Sequence, residues 1–115
     1  PEPGPGFGHS YYKFYAYTRP ERLVRGWDRD RIAAEIVSHG IPCGSGACPE
    51  MYRERAFDGT GWRPNQRLPV ARELGETSLM FQVHPGLTAE HMHRAADVVE
   101  DVIGAATGYT SRRAA

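Results

Sequence analysis

Apolar residues alternate with polar ones in two segments, which predicts two β-strands. Residues 11–18 (YYKFYAYT) are rich in aromatic side chains, which suit a pleated surface. Residues 79–84 (LMFQVH) place Leu, Phe and Val on one face and Met, Gln and His on the other. A third segment, residues 41–48 (IPCGSGAC), is predicted to be a short, irregular strand because glycines weaken it.

Helical spacing of apolar residues predicts two longer helices, over residues 28–39 and 89–105. Asp28 or Asp30 is expected to cap the first helix, and Gly40 follows it as a residue that tolerates the left-handed backbone of many helix ends. Thr88 is expected to cap the second helix. The predicted apolar stripe of that helix consists of Met92, Ala95, Val99, Val102, Ile103 and Ala106.

Two further segments, residues 49–57 and 68–74, are predicted to be short helices, the first with Pro49 at its start. The resulting order of elements predicts an α+β domain with a small, mostly antiparallel sheet and helices packed on one face. Residues 1–8 (PEPGPGFG) indicate a linker or disordered end, residues 9–107 the domain, and residues 108–115 a frayed tail.

Composition narrows the class of protein. The 115 residues include 40% hydrophobic and 24% charged residues, and fourteen basic residues balance fourteen acidic ones. Without a basic excess, nucleic acids and membrane surfaces are poor partners. No apolar run approaches the roughly 20 residues of a membrane span, and no signal-peptide pattern opens the chain, so we expect a reducing, cytoplasmic setting.

Individual chemical groups do not add up to a complete active site. His91 and His93 are two residues apart on a predicted helix and do not share a face, so we expect solvent-facing side chains and no metal site. Cys43 and Cys48 lack a second ligand pair, which favours buried free thiols, with a local disulfide as the alternative. The Gly-Ser-Gly at residues 44–46 is interpreted as a tight loop that needs positive φ, and it belongs to no nucleophilic triad.

Several strings occur in an order that resembles a known family. They are HSYY at residues 9–12, Gly40-Ile41 after a helix, LPVAREL at residues 68–74, and SLMFQVHPGLT at residues 78–88. Together they resemble the C-terminal small domain of the DegT/DnrJ/StrS aminotransferases over nearly the whole chain. The resemblance implies a fold type I enzyme that uses pyridoxal phosphate.

The same resemblance implies amino transfer, usually from glutamate, to a nucleotide-linked keto sugar by a homodimer. The lysine that holds the cofactor belongs to the large domain of the family, and Lys13, the only lysine here, is not expected to replace it. This chain is therefore expected to hold no catalytic or cofactor-binding residue and to be inactive alone. Many members carry a substrate-contacting His where this chain has residues 45–49, so Ser45 and Cys48, together with His9, are the substrate-binding candidates.

Two alternatives remain open at this point. One is a stand-alone α+β module that binds a metabolite, with Arg63 and Arg67 holding an anion. The other is a dimerisation domain that uses the tyrosine-rich strand, which carries more amphipathic surface than one small sheet needs.

Overall fold

The structure, a computed structural model, describes residues 4–8 and 11–109. Two long helices, one shorter helix and three strands form the framework, with single 3-10 turns at Pro20–Arg22, Met51–Arg53 and Arg55–Phe57. In chain order the elements are β1 (Lys13–Tyr17), α1 (Arg29–Ser38), β2 (Cys43–Gly44), α2 (Pro69–Thr77), β3 (Ser78–Gln82) and α3 (Ala89–Thr107).

The three strands form one antiparallel sheet in the order β1-β3-β2. Phe81 in the central strand lies opposite Phe14 on one side and Cys43 on the other, and Met80 lies opposite Tyr15 and Gly44. Beyond the ladder, the backbone N–H and the hydroxyl of Thr18 both donate to the Thr77 carbonyl, 59 positions later in the chain. The first strand is thus held by residues from the second half of the chain.

The core lies on one face of this sheet, between the sheet and helices α1 and α3. It consists of Ile32 and Ile36 from α1, Leu79 from β3, and Val102 and Ala106 from α3. Ile32 and Ile36 are fully buried, and burial of one such side chain stabilises a fold by about 1.5–3 kcal/mol. The predicted α+β class, with a small antiparallel sheet and helices on one face, is confirmed.

The ends of the long helices follow the predicted local signals. Asp28, not Asp30, caps α1, and its carboxylate accepts the Arg31 amide at 2.8 Å. Gly40, just after α1, has a φ of +80°, the left-handed backbone conformation that often ends an α-helix. Thr88 accepts the His91 amide at the start of α3, and Nδ1 of His91 accepts the Thr88 amide at 3.2 Å, which completes a capping box.

Other boundaries differ from the predictions. The third strand shrinks to Cys43–Gly44, and the helix predicted over residues 49–57 is a pair of 3-10 turns because Glu54 between them is extended. β3 ends at Gln82, before the turn that contains Pro85. Met92 is 55% exposed and does not belong to the buried stripe of α3, because the core contacts of that helix begin only at Val98.

The remaining predictions about the chain ends stay predictions, since residues 1–3, 9–10 and 110–115 lie outside the described part. Within residues 4–8 and 11–109, no helix is long and apolar enough to span a bilayer.

Candidate functional site

Two of the predicted substrate-binding residues lie on one exposed loop that follows β2. We call residues 45–48 the 45–48 loop; it begins with Ser45 and ends with Cys48. The Ser78 hydroxyl donates to the Ser45 carbonyl at 2.7 Å, and the Ala47 amide donates to the Tyr15 hydroxyl at 3.3 Å. Both contacts come from the sheet face opposite the core, so the loop is fastened to that face.

Gly46 allows this loop to lie close to the sheet. Its φ is +84°, which confirms that the glycine-rich turn needs positive φ, although at Gly46 and not at Gly44. A Cβ added to Gly46 would lie 2.4 Å from Cε1 of Tyr15, far inside ordinary contact distance. Both the backbone conformation and the available space therefore require glycine here.

Cys48 presents a protonated thiol. Its side chain is exposed, and Sγ donates a hydrogen bond to the Glu54 carboxylate at 3.3 Å. This hydrogen bond, with a smaller contribution from desolvation, raises the pKa of the Cys48 thiol. Because the thiolate is the reactive form of cysteine, Cys48 is suited to donate a hydrogen bond and not to attack a substrate.

The prediction of two buried thiols is wrong for Cys48 and holds only partly for Cys43. Cys43 is half-buried on the core side of the sheet, and burial raises the pKa of its thiol. Both cysteines are free. Cys48 is exposed because it follows the sheet, where the loop turns away from the core.

Immediately after the loop, Glu50 organises a network of hydrogen bonds. Its carboxylate, only 12% exposed, accepts Nε of Arg67 at 2.9 Å and the Tyr52 hydroxyl at 2.6 Å, and Nη2 of Arg67 makes a second, shorter bond. The Arg67 guanidinium, followed by the Tyr52 hydroxyl, lowers the pKa of Glu50 to about 2. Tyr52 in turn accepts the Leu68 amide at 2.9 Å, so the network ties the 3-10 turn to the start of α2.

Arg63 has a similar internal role. Its Nε donates to the Tyr52 carbonyl at 3.1 Å, its Nη2 donates to the Arg53 carbonyl at 2.7 Å, and the same nitrogen pairs with Asp58 at 2.6 Å. Arg63 and Arg67, which the metabolite-binding alternative uses as anion ligands, are thus already occupied by partners within the chain.

A groove of about 530 Å³ lies between the first 3-10 turn and α2. Its charged residues are Arg19, Glu21, Arg67, Arg72, Glu73 and Glu76. Arg67 and Arg72 both pair with Glu76, at 3.4 and 2.9 Å. The groove carries equal numbers of basic and acidic side chains, and three of the six, Arg67, Arg72 and Glu76, are in ion pairs, so its charge favours neither anions nor cations. Neither Ser45 nor Cys48 lines it.

His84 and His91 have local structural contacts. His91 closes the capping box, and Nδ1 of His84 accepts the Gly86 amide at 3.2 Å in the turn after β3. His9 falls outside the described residues, so its predicted substrate contact stays a prediction. Within the described ranges, no group of three or more His, Cys, Asp or Glu side chains is arranged to hold a metal ion.

Sequence reasoning missed the residues that fix the loop. The sequence predicts Tyr15 only as part of an aromatic strand, and it does not single out Ser78 as an anchor. Their partners in the loop lie 32 and 33 positions away in the chain, so no local motif marks them. Only the glycine at residue 46 carries a signal in the sequence, its tolerance of positive φ.

The chain matches no protein-family profile and no curated protein. It is similar to a solved structure, the aminotransferase from Psychrobacter cryohalolentis, with 49% sequence identity and a TM-score of 0.81. The match covers 84% of this chain and 25% of the aminotransferase chain. In sequence and fold, this α+β chain is therefore similar to about a quarter of an aminotransferase.

Proposed function

We propose that this chain is the C-terminal small domain of a pyridoxal-phosphate-dependent aminotransferase of the DegT/DnrJ/StrS family. The observation that carries the proposal is the similarity to a solved aminotransferase, with 49% identity over 84% of this chain. The matched region is only 25% of the aminotransferase chain. The ordered strings at residues 68–74 and 78–88 support the choice of family. The rest of the polypeptide then carries the catalytic centre.

Pyridoxal phosphate supplies an electron sink for amino transfer when it is bound. The one lysine of this chain does not fit the role of holding that group. Lys13, the only lysine, lies in β1 with its ammonium 5.4 Å from the centre of the Tyr12 ring, and the groove beside α2 does not include it. We therefore assign the cofactor lysine to another part of the polypeptide and derive no step on this chain.

The sheet face opposite the core is the surface on which we expect the large domain to dock. We define this open sheet face by Tyr15, Tyr17 and Met80; the two tyrosines are 37% and 54% exposed. Neither α1 nor α3 covers these side chains, because both helices pack on the other face. Aromatic side chains with one apolar and one polar end are common where domains meet.

The 45–48 loop is the part of the chain that we expect to contact substrate. Ser45 is exposed and offers a hydroxyl donor and acceptor, and Cys48, whose proton is donated to Glu54, offers the weakly accepting sulfur of a neutral thiol. Small neutral groups suit the hydroxyl-rich surface of a sugar. We accordingly propose a nucleotide-linked keto sugar as amino acceptor, glutamate as donor, and a homodimer as the working assembly.

The first experiment is to determine the reading frame upstream of Pro1. We expect it to continue into a large α/β domain with a lysine on a loop after a strand. The polypeptide encoded by the complete frame should transfer ¹⁵N from labelled glutamate to a nucleotide-linked keto sugar, and the 115-residue chain alone should not. A start codon immediately before Pro1 would overturn the proposal.

A second experiment tests the loop in the complete polypeptide. Ser45→Ala and Cys48→Ala should each raise KM for the sugar acceptor severalfold, because loss of one hydrogen bond weakens binding by about 1 kcal/mol. Asn65→Ala, an exposed polar position outside the loop, is the matched control. Unchanged KM in both loop variants would remove the loop from the substrate site.

A further inference from the structure

The middle of the 45–48 loop is held by one side chain of the sheet, Tyr15. We infer that Tyr15 is a positioning residue that fixes the positions of Ser45 and Cys48 relative to the sugar substrate. The inference deepens the proposed function and rests on it for the identity of the substrate. Its structural part concerns Tyr15, Gly46 and Ala47 alone.

Tyr15 makes two contacts with the loop, and one of them requires the tyrosine hydroxyl. Its hydroxyl accepts the Ala47 amide at 3.3 Å, and its ring edge lies against Gly46, where a Cβ would come within 2.4 Å of Cε1. Phenylalanine would keep the ring contact and lose the acceptor. The ring itself is held by a paired strand, since Tyr15 lies opposite Met80 in the sheet.

The other anchors act at the two ends of the loop. Ser78 holds the carbonyl of Ser45 at the start, and Glu54 accepts from Cys48 at the finish. Among the described residues, Tyr15 alone donates or accepts a side-chain hydrogen bond at the middle of the loop. Loss of that bond should therefore free residues 46 and 47 while both ends stay attached.

Hydrogen exchange of the Ala47 amide, measured by NMR on the 115-residue chain, tests this directly. Tyr15→Phe should speed exchange at Ala47 about fivefold, the equivalent of about 1 kcal/mol for one hydrogen bond. Tyr17→Phe is the matched control, because Tyr17 lies on the same face of β1 and, unlike Tyr15, its hydroxyl does not hydrogen-bond to the described loop residues. Exchange at the core amide of Ile36 should not change, which separates a local effect from loss of global stability.

A glycine pair gives an independent test of the ring contact. Gly46 and Gly59 both have positive φ, +84° and +71°, but a Cβ at Gly59 would meet no atom within 4 Å. Gly46→Ala should displace the Tyr15 ring and speed Ala47 exchange as Tyr15→Phe does. Gly59→Ala carries the same type of backbone strain and should leave Ala47 exchange unchanged.

Equal Ala47 exchange in Tyr15→Phe and in the unmodified chain would overturn the positioning role. These measurements need neither cofactor nor substrate, so they test the positioning role separately from the proposed function. The proposed function is tested by the amino-transfer assay. In the complete polypeptide, Tyr15→Phe should raise KM for the sugar severalfold with kcat within about twofold. A loosened loop with unchanged KM would overturn the link between Tyr15 and substrate.

Discussion

Gly75 lies within α2, where an alanine would ordinarily stabilise the helix. Its backbone φ is not positive, so alanine can adopt the same conformation. A Cβ at this position, however, would lie 2.5 Å from Cγ and 3.4 Å from Cβ of Pro49, the residue that follows the 45–48 loop. Gly75→Ala should therefore improve helix propensity, which stabilises the fold, and crowd Pro49, which destabilises it.

The two effects have comparable magnitudes. Replacing an interior helical glycine by alanine gains about 1 kcal/mol. Carbon atoms in contact are normally about 3.5–4.0 Å apart, so Pro49 or α2 must move by roughly 1 Å to admit the new methyl group. Overpacking of this kind typically costs about 1–3 kcal/mol. We therefore expect Gly75→Ala to lower the free energy of unfolding by about 1 kcal/mol.

Urea unfolding, followed by circular dichroism, measures this change, and Pro49→Ala supplies the control. That substitution removes Cγ and Cδ and leaves only the Cβ, at a tolerable 3.4 Å. In the Pro49→Ala background, Gly75→Ala should be stabilising by up to about 1 kcal/mol, so the sign of its effect should reverse. Stabilisation of the same size in both backgrounds would refute the packing argument.

Three further predictions concern the core, a helix cap and acid stability. Ile36→Ala should lower the free energy of unfolding by about 2–5 kcal/mol because Ile36 is fully buried. Val37→Ala, at a position 49% exposed, should lower it by less than about 1 kcal/mol. Equal urea midpoints for the two variants would contradict this expectation. Thr88→Ala should cost about 1 kcal/mol and speed amide exchange in the first turn of α3; unchanged exchange there would argue against the cap. Folding lowers the pKa of Glu50 from 4.5 to about 2, so its stabilising effect is present above pH 4.5 and is lost as the pH falls toward 2. Glu50→Gln should flatten that part of a stability-versus-pH curve, and an unchanged slope would contradict the role of Glu50.

Features set by neighbouring residues were predictable from the sequence. The cap at Thr88 and the positive φ of Gly40 depend on residue types within a few positions, and both are as predicted. The alternation in β3 placed Leu79 and Phe81 on the core side because side chains of a strand alternate between faces. Local rules therefore recover the two longer helices, strands β1 and β3, and the fold class.

Features set by distant partners were not predictable. The residue types of residues 49–57 and Pro49 at their start suggested one short helix, whereas extended Glu54 divides this segment into two 3-10 turns. The anchoring of the 45–48 loop depends on Tyr15 and Ser78, which reach it only after the sheet has formed. For the candidate site, the sequence identified the loop residues Ser45 and Cys48 but not the side chains that hold them.

The pairing of β1 with β3 has a consequence for how the chain reaches its fold. β1 is synthesised first, but its hydrogen-bonding partners, together with the Thr77 carbonyl that holds Thr18, emerge 59 or more positions later. Long-range pairing of this kind loses the conformational entropy of closing a large loop before the strand contacts that compensate for this loss can form. Until β3 emerges, the tyrosine-rich strand has no sheet to join, so on the ribosome its aromatic side chains are exposed to chaperones and to other nascent chains.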